Sequence, residues 1–115
     1  MKDLGFPRSR RLTGQHEFRK VYETGRRTSN EYLVAYTCPA QGRRGKVGIV
    51  TGRRLGKAVE RNRIRRVLKE IIRTKQHSIA EKTDLVVIAK RPALDLPQHE
   101  LAEQLLKLLR KSEAP

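Results

Sequence analysis

Residues 52–75, GRRLGKAVERNRIRRVLKEIIRTK, constrain the fold of this 115-residue chain more than any other stretch. In their second half, apolar residues recur at intervals of three and four: Ile64, Val67, Leu68, Ile71 and Ile72. This spacing predicts a helix that buries one face in a core. Polar and basic residues occupy the rest of the helix: Asn62, Arg66, Lys69 and Arg73 lie opposite the stripe, and Arg61, Arg63 and Arg65 lie beside it. We therefore expect a helix with an apolar inner side and a strongly basic outer side.

The basic residues of this region are almost unopposed by acidic ones. Positions 43–75 contain 13 Lys or Arg residues but only two acidic residues, and so account for +11 of the net charge of +15. A solvated helix surface usually mixes both signs, because pairs of opposite charge four residues apart stabilise the helix. A surface of nearly one sign predicts an anionic partner, and Arg side chains suit bidentate contacts to phosphates and base edges. We interpret this surface as a nucleic-acid-binding surface.

A membrane is the other anionic candidate, and the sequence argues against it. No apolar run approaches the ~20 residues of a spanning helix, and the first residues lack the apolar segment of a secretory signal. The single cysteine cannot form an internal disulfide. We therefore expect a cytoplasmic protein with no membrane partner.

The N-terminal third predicts an arm, a helix and a strand. Residues 1–12 read as a basic extended arm, which is either a disordered tail or a segment that RNA orders. Thr13 can cap a helix that runs to about Thr24, with Gly25 ending it in the left-handed conformation. Alternation in residues 32–38 predicts a strand, and a short edge strand can precede it.

The remaining segments predict two more strands and a last helix. Residues 46–51 read as a strand antiparallel to the preceding one, and Gly48 in it indicates a bulge or a close backbone approach. The apolar run 85–89 predicts a central strand, parallel to 46–51 because the basic helix connects them. The helix expected at 97–111 has an apolar side made of Leu101, Ala102, Leu105, Leu106, Leu108 and Leu109. The sequence thus predicts one α+β domain, residues 1–115: an α/β sandwich in the order α-β(-β)-β-α-β-α.

Aromatic residues are few and are concentrated near the start of the chain. Phe18 and Tyr22 share one side of the first helix with Val21, and alternation places Tyr36 on the same side of its strand as Tyr32 and Val34. Such residues either pack in the core or form a stacking platform for unpaired bases. The pattern alone leaves both interpretations open.

The connection before the basic helix combines glycines with positive charge. Gly52 and Gly56 bracket Arg53 and Arg54, and backbone N–H groups in such a turn can bind phosphate. The spacing matches neither a P-loop nor a dinucleotide fingerprint, so we predict no nucleotide cofactor.

We find no catalytic constellation in the chain. His16, His77 and His99 are far apart and lack the spacing of metal ligands, and Cys38 is interpreted as a small buried apolar residue. A nuclease would need clustered carboxylates for metals or a pair of acid–base histidines. We therefore predict no catalytic residue, metal site or cofactor in the protein itself.

The run GKAVERNRIRR, with Arg61-Asn62-Arg63 at its centre and Lys69-Glu70 after it, resembles the signature of the bacterial ribonuclease P protein subunit. The resemblance continues through residues 12–25, 30–38, 47–51 and 84–92, in the order of that family. It implies a left-handed crossover at the basic helix, an exception to the general rule. It also implies a ribonucleoprotein endoribonuclease, a hydrolase that matures tRNA 5′ ends, in which the RNA subunit cleaves with magnesium ions.

The resemblance further implies two groups of site residues and two RNA partners. Contacts to the ribonuclease P RNA subunit are expected from Arg53, Arg54, Lys57, Arg61, Asn62, Arg63, Arg65, Arg66 and Lys69. Contacts to the single-stranded 5′ leader of precursor tRNA are expected from Phe18, Tyr22, Val34, Tyr36 and Arg61. Tyr22 stands where the family has Phe, a change that preserves stacking.

Three alternatives remain at this point. A ribosomal protein that binds structured ribosomal RNA fits the charge and size equally well. A self-sufficient nuclease lacks the necessary residues. A DNA-binding helix-turn-helix module is disfavoured because the basic helix follows a strand instead of a short turn from another helix.

Overall fold

A computed structural model describes residues 11–12, 14–40, 45–75 and 83–113. The elements in chain order are α1 (Gly14–Thr24), β1 (Arg26–Ser29), β2 (Leu33–Pro39), β3 (Val47–Val50), α2 (Ala58–Thr74), β4 (Thr83–Ala89) and α3 (Gln98–Glu113). Short 3-10 turns occupy Arg53–Leu55 and Arg91–Asp95. The mixed α+β fold and its element order are as the sequence predicts, with the short edge strand β1 present.

The four strands form one sheet in the order β1-β2-β4-β3. Strand β2 pairs antiparallel with β1 and β4, whereas β3 pairs parallel with β4. The parallel pair joined by α2 confirms the predicted crossover unit, and its left-handed sense stays a prediction. Strand β3 does run antiparallel to β2, but the two are not neighbours, because β4 lies between them. The centre of the sheet suits β4, whose Leu85, Val86 and Val87 are fully buried.

One side of the sheet, called here the packed face, carries Leu33, Ala35, Leu85 and Val87. Helices α2 and α3 cover it. Helix α2 buries the predicted stripe through Ile64, Leu68, Ile71 and Ile72, with Val67 partly buried. Helix α3 adds Leu101, Leu105, Leu108 and Leu109, as predicted, with Ala102 and Leu106 partly buried. Full burial of each such side chain contributes about 1.5–3 kcal/mol. Because 16 buried apolar residues belong to this cluster, the packed face holds most of the described core.

The other side, called here the open face, carries Val34, Tyr36, Val86 and Ile88. Among the described elements, only helix α1 packs on it. A small buried cluster there consists of Val21 of α1, Leu12, Cys38 and Val86. Four partly buried residues pack against it: Phe18, Tyr36, Val50 and Ile88. This face is therefore only partly covered by the described chain.

The end of the N-terminal arm continues the sheet. Arg11 forms a parallel bridge with Val47, and the Leu12 N–H donates to the Val47 carbonyl at 2.9 Å. The rest of the predicted arm, residues 1–10, and the predicted cap Thr13 lie outside the described residues.

Two glycines differ from their predicted roles. Gly25 has no positive φ, so the prediction of a left-handed helix end was wrong. Its small size is needed instead because a Cβ there would collide with the Val21 carbonyl and lie 2.9 Å from that of Thr37. Gly48 sits in a continuous register without a bulge, and the close approach at this residue is made by the ring of Phe18.

Helix α2 starts at Ala58, earlier than its apolar stripe. The Lys57 N–H donates to Glu60 Oε1 at 2.9 Å, which caps the first turn. Val59 in that turn is 76% exposed. The first turn is therefore helical because of its cap, without packing on the core.

Candidate nucleic-acid interface

The outer side of α2 and the turn before it form the basic surface. It consists of the nine predicted residues Arg53, Arg54, Lys57, Arg61, Asn62, Arg63, Arg65, Arg66 and Lys69. All are exposed except Arg61, which is half-buried. The structure thus brings the predicted residues together on one helix and its preceding turn, where they are accessible to a partner.

Two arginines of the basic surface also attach α2 to the segments that follow the parallel strands β3 and β4. Arg65 Nη2 donates to Thr51 Oγ1 at 2.6 Å, just after β3. Arg63 Nη2 donates to the Leu94 carbonyl at 2.9 Å, in the turn that follows β4. The two contacts hold opposite sides of the helix, one just after β3 and the other in the turn after β4. Each guanidinium has five N–H donors, so both retain donors for a ligand.

Arg61 has a different environment from its neighbours. Its Nε is buried and has no hydrogen-bond partner among the described residues. A buried N–H without a partner costs about 1–3 kcal/mol. Arg61 is thus the member of the basic surface with a desolvated donor that the described protein contacts do not satisfy.

The net positive charge of the basic surface decreases toward the end of α2. Arg73 Nε donates to Glu70 Oε1 at 3.1 Å, and Arg73 Nη2 contacts Glu70 Oε2. The hydrogen bond from Arg73 lowers the pKa of Glu70, so that carboxylate stays ionised and offsets the Arg73 charge. Uncompensated positive charge is therefore concentrated in the first half of the helix and the turn before it.

Three aromatic rings meet on the open face, and they are called here the aromatic cluster: Phe18, Tyr22 and Tyr36. The centroids of Phe18 and Tyr22 are 6.4 Å apart, and those of Tyr22 and Tyr36 are 4.9 Å apart in an edge-on arrangement. Tyr22 is 38% exposed, while Phe18 and Tyr36 are half-buried. The rings thus support one another and still present surface to the outside.

Burial raises the pKa of Tyr22, and the neighbouring Tyr36 raises it further. The hydroxyl of Tyr22 therefore stays protonated at neutral pH and can donate a hydrogen bond. The cluster is amphipathic, with ring faces for stacking and hydroxyl groups for polar contacts.

Apolar residues continue the open face beside the aromatic cluster. Val34 is opposite Ile88 in the register, and Ile88 is opposite Val50. Val34 is buried, while Ile88 and Val50 are half-buried. The predicted leader residue Val34 therefore lies on the same face as the aromatic cluster.

Tyr32 does not belong to this face. It packs against the core of the packed face, so its predicted position beside Tyr36 was wrong. Tyr32 precedes β2 in a turn where its N–H donates to Asn30 Oδ1 at 2.8 Å. Strict alternation holds only within a strand, and it does not extend through this turn.

Arg61 was assigned to both groups of site residues. It lies on α2, which covers the packed face, whereas the aromatic cluster lies on the open face. The two groups therefore occupy opposite sides of the sheet.

Register also adds residues to the open face that periodicity missed. Arg27 is opposite Tyr36, and Ser29 is opposite Val34. The sequence of β1, RRTS, has no apolar alternation that could have assigned its faces. Only its pairing with β2 does so.

The described residues contain no group of three or more His, Cys, Asp or Glu that could hold a metal ion. His16 and His99 are exposed, and His77 lies outside the described ranges. Cys38 is buried with its Sγ 3.2 Å from Thr24 Oγ1, as expected for a small core residue. No helix within the described ranges is long and apolar enough to cross a membrane.

Comparisons with known proteins identify the family. The ribonuclease P family model matches residues 6–113. The ribonuclease P protein component of Exiguobacterium sp. is 36% identical over 103 residues, which cover 90% of each chain. That of Desulfovibrio desulfuricans is 36% identical over 115 residues, covering 96% of this chain and 88% of the relative.

Solved structures agree with this assignment. A Staphylococcus aureus RNase P protein mutant with defective mRNA degradation activity superposes with a TM-score of 0.83 at 27% identity, covering 91% of this chain and 89% of that one. The RNase P protein from Thermotoga maritima gives a TM-score of 0.80 at 30% identity, covering 90% and 98%. The chain therefore belongs to the ribonuclease P protein component family, whose members are protein subunits of ribonuclease P.

Proposed function

We propose that this chain binds the catalytic RNA of ribonuclease P through its basic surface and the single-stranded 5′ leader of precursor tRNA through its aromatic cluster. By holding both, it promotes endonucleolytic removal of the leader. The observation that carries the proposal is that one sheet separates two surfaces of different chemistry. A dense basic helix lies on one side, and partly exposed aromatic rings lie on the other.

The basic surface suits a structured RNA. Its exposed arginines and lysines offer charge and N–H donors in an array fixed by a well-packed helix. Phosphate contacts of this kind provide affinity without reading the base sequence, and they screen repulsion between two RNAs. Arg63 and Arg65 have an additional role here, because their hydrogen bonds fix the helix at both flanks.

The aromatic cluster suits unpaired bases. Stacking on aromatic rings tolerates any base, because every base has a π face. A precursor tRNA leader is single-stranded and varies in sequence, so a stacking surface with few base-specific contacts is appropriate for it. The exposed part of Tyr22 and the half-buried ring of Tyr36 are the surfaces available for this purpose.

The chemistry of cleavage is assigned to the RNA subunit, with magnesium ions bound at its active site. Metal-assisted phosphodiester hydrolysis uses clustered carboxylates or RNA phosphates as ligands. The described protein residues offer surfaces for positioning and charge neutralisation. The protein's contribution is then to position the leader and to support the folded RNA.

The rival function, a ribosomal protein that binds ribosomal RNA, explains the basic surface alone. It gives no reason for a partly exposed aromatic cluster on the opposite side of the sheet. The family assignment also favours ribonuclease P over the rival.

Changing Tyr36 to Ala tests the leader site. Holoenzyme is reconstituted with the catalytic RNA, and its affinity is measured for a precursor tRNA with a leader of several nucleotides and for one with a single leader nucleotide. Loss of a stacking ring costs ~1–3 kcal/mol, or roughly 5- to 150-fold in affinity. We expect this loss only with the long leader.

Tyr32→Ala is the matched control, because it removes the same side chain from the packed face. Its effect should be equal on both substrates. Equal losses on both substrates from Tyr36→Ala, together with a lower melting temperature, would show that the ring is only core.

Protein without RNA is assayed in parallel on precursor tRNA and on an mRNA, and cleavage at the mature tRNA 5′ end would contradict the assignment of chemistry to the RNA.

Changing Arg66 to Ala tests the basic surface. Arg66 is exposed, and its removal should flatten the dependence of catalytic-RNA affinity on salt by ~0.7–0.9 in the log–log slope. Arg110→Ala is the control. It removes an exposed charge from α3, outside the basic surface, and should leave the slope unchanged. Arg65 is less suitable, because its loss also leaves the buried Thr51 without the guanidinium hydrogen bond. An unchanged slope for Arg66→Ala would exclude this residue from the interface.

A further inference from the structure

Strand β1 places a positive charge beside the aromatic cluster. In the antiparallel register with β2, Arg27 lies directly opposite Tyr36, and Ser29 lies opposite Val34. Directly opposite residues of antiparallel strands project from the same face, with Cβ atoms about 4.5–5.5 Å apart. Arg27 and Ser29 therefore extend the open face by one strand beyond Tyr36 and Val34.

The other residues of β1 point to the packed face. Arg26 lies opposite Thr37, and Thr28 lies opposite Ala35, which is fully buried in the packed-face core. Two adjacent and exposed arginines, Arg26 and Arg27, are thus divided between the two sides of the sheet. Only one of them can reach a ligand on the open face.

Arg27 begins a row of residues that crosses all four strands. The row continues through Tyr36 and Val86 to Gly48. The ring of Phe18 lies over Gly48, and Tyr22 packs edge-on against Tyr36. Strands are about 4.8 Å apart, so the row spans about 14 Å from β1 to β3. The aromatic cluster covers the row from Tyr36 to Gly48, and Arg27 forms the end of the row on β1.

Charge distribution along the open face favours Arg27 as a ligand for an anion. Lys46, next to β3, is already paired with Glu17 of α1, with Nζ and Oε2 2.9 Å apart. A nucleic-acid strand that stacks its bases on Tyr22 and Tyr36 carries a phosphate with each nucleotide. A guanidinium at the rim of a stacking surface binds such a phosphate through charge-assisted hydrogen bonds.

We propose that Arg27 binds a phosphate of the precursor tRNA leader next to the base stacked at Tyr36, so that the leader site extends to the edge strand β1. This inference rests on the proposed leader function. It assigns Arg27 a binding role that Arg26, on the same strand, does not share. It also predicts that the site requires a leader long enough to pass the aromatic cluster.

The test compares Arg27→Ala with Arg26→Ala, Arg27→Lys and Tyr36→Ala in reconstituted holoenzyme. Affinity for the long-leader and one-nucleotide-leader substrates is measured at several salt concentrations, and the melting temperature of each protein is recorded. Arg27→Ala should weaken long-leader binding about tenfold, as for loss of a hydrogen bond to a charged group. It should also flatten the log–log salt dependence by about 0.7, the value for one contact to a single strand.

The remaining variants separate the leader contact from other roles of the charge. Arg27→Lys keeps the charge and should keep the salt slope. Arg26→Ala loses the same charge from the other face and should show no leader-dependent loss. One-nucleotide-leader binding should be unaffected by Arg27→Ala. If that variant does not fold, Arg27→Gln, which keeps a polar side chain on the strand, takes its place with the same expected losses.

Each of four results would overturn the inference. Equal losses on both substrates, or equal losses from Arg26→Ala and Arg27→Ala, would show a structural or general electrostatic role. A leader-dependent loss in Tyr36→Ala without one in Arg27→Ala would leave the proposed function standing and remove Arg27 from the site. If neither variant shows a leader-dependent loss, the proposed leader function itself fails, and this inference fails with it.

Discussion

The two faces of the sheet are built from alternate residues of the same strands but differ in how they are filled. Among the described residues, 16 buried apolar residues form one cluster on the packed face, whereas the open face has a cluster of four and the buried Val34. Two helices cover the first and one covers the second. Most of the apolar burial that stabilises the fold is thus on the packed face. Aromatic rings on the open face can therefore remain accessible at little cost to the stability of the fold.

Helix α2 shows the same division within a single element. Its inner stripe is buried in the packed face, while its outer side carries the basic surface. Repulsion among the outer arginines is opposed by burial of the stripe. Changes on the outer side should therefore alter RNA affinity, and changes on the inner side should alter stability.

Leu68→Ala is expected to have the largest effect on stability. Leu68 is fully buried between α2 and the sheet, and removal of such a side chain costs about 2–5 kcal/mol. Denaturant unfolding of the isolated protein measures this loss. Below the melting temperature of the variant, its ratio of long-leader to short-leader affinity should equal that of the wild type. A changed ratio would contradict the separation of the two faces.

Gly48→Ala should have an intermediate effect and should act on the open face. A Cβ at this position would lie 2.5 Å from Cζ of Phe18 and 3.3 Å from Cδ1 of Leu12. Such overpacking typically costs about 1–3 kcal/mol. Because the ring of Phe18 must move, long-leader affinity should fall together with stability. Denaturant unfolding and the two-substrate binding assay measure the two effects.

Gly52→Ala is the control for this change. Gly52 has φ −75°, and a Cβ there would meet no atom of the described chain within 4 Å. Its unfolding free energy should be unchanged or slightly higher, since Ala restricts the unfolded chain. If Gly48→Ala is equally harmless, the contact of Phe18 with β3 is loose and the aromatic cluster can rearrange.

Local patterns predicted the packed face better than the open face. The stripe of α2 and the apolar run of β4 repeat at the helical and strand periods, so burial follows from sequence alone. The neighbours of β3 and the conformation of Gly25 could not be predicted in this way. The first depends on where the distant strand β4 pairs, and the second on contacts between α1 and β2.

The candidate site was predictable where it lies in regular elements. The basic residues of α2 and the rings at 18, 22 and 36 come together as expected. Tyr32 was misplaced because it precedes its strand, and the position of Arg27 was missed because only the β1–β2 register assigns its face. The hydrogen bonds of Arg63 and Arg65 were also missed, because their acceptors belong to other segments.

The smallest expected effect concerns the pH dependence of stability. It compares Tyr22 on the open face with Tyr32 on the packed face, whose pKa values are raised for different reasons. The pKa of Tyr22 is raised chiefly by burial at the aromatic cluster, whereas that of Tyr32 is raised chiefly by the carboxylate of Glu31. A tyrosine titrates near pH 10 when unfolded. Because both pKa values are raised on folding, each residue's contribution to stability is complete below about pH 10 and is lost as the pH rises through the folded pKa.

The two contributions should respond differently to salt. Salt screens the interaction of the Tyr32 hydroxyl with the Glu31 carboxylate, but it has little influence on the desolvation that raises the pKa of Tyr22. The unfolding free energy is measured below and above about pH 10, at low and high salt, for the wild type, Tyr22→Phe and Tyr32→Phe. The alkaline loss of stability should shrink in both variants. High salt should remove the difference between wild type and Tyr32→Phe but preserve that between wild type and Tyr22→Phe. If salt removes both differences, charge interactions and not burial raise the pKa of Tyr22, and the aromatic cluster is a looser surface than its ring geometry indicates.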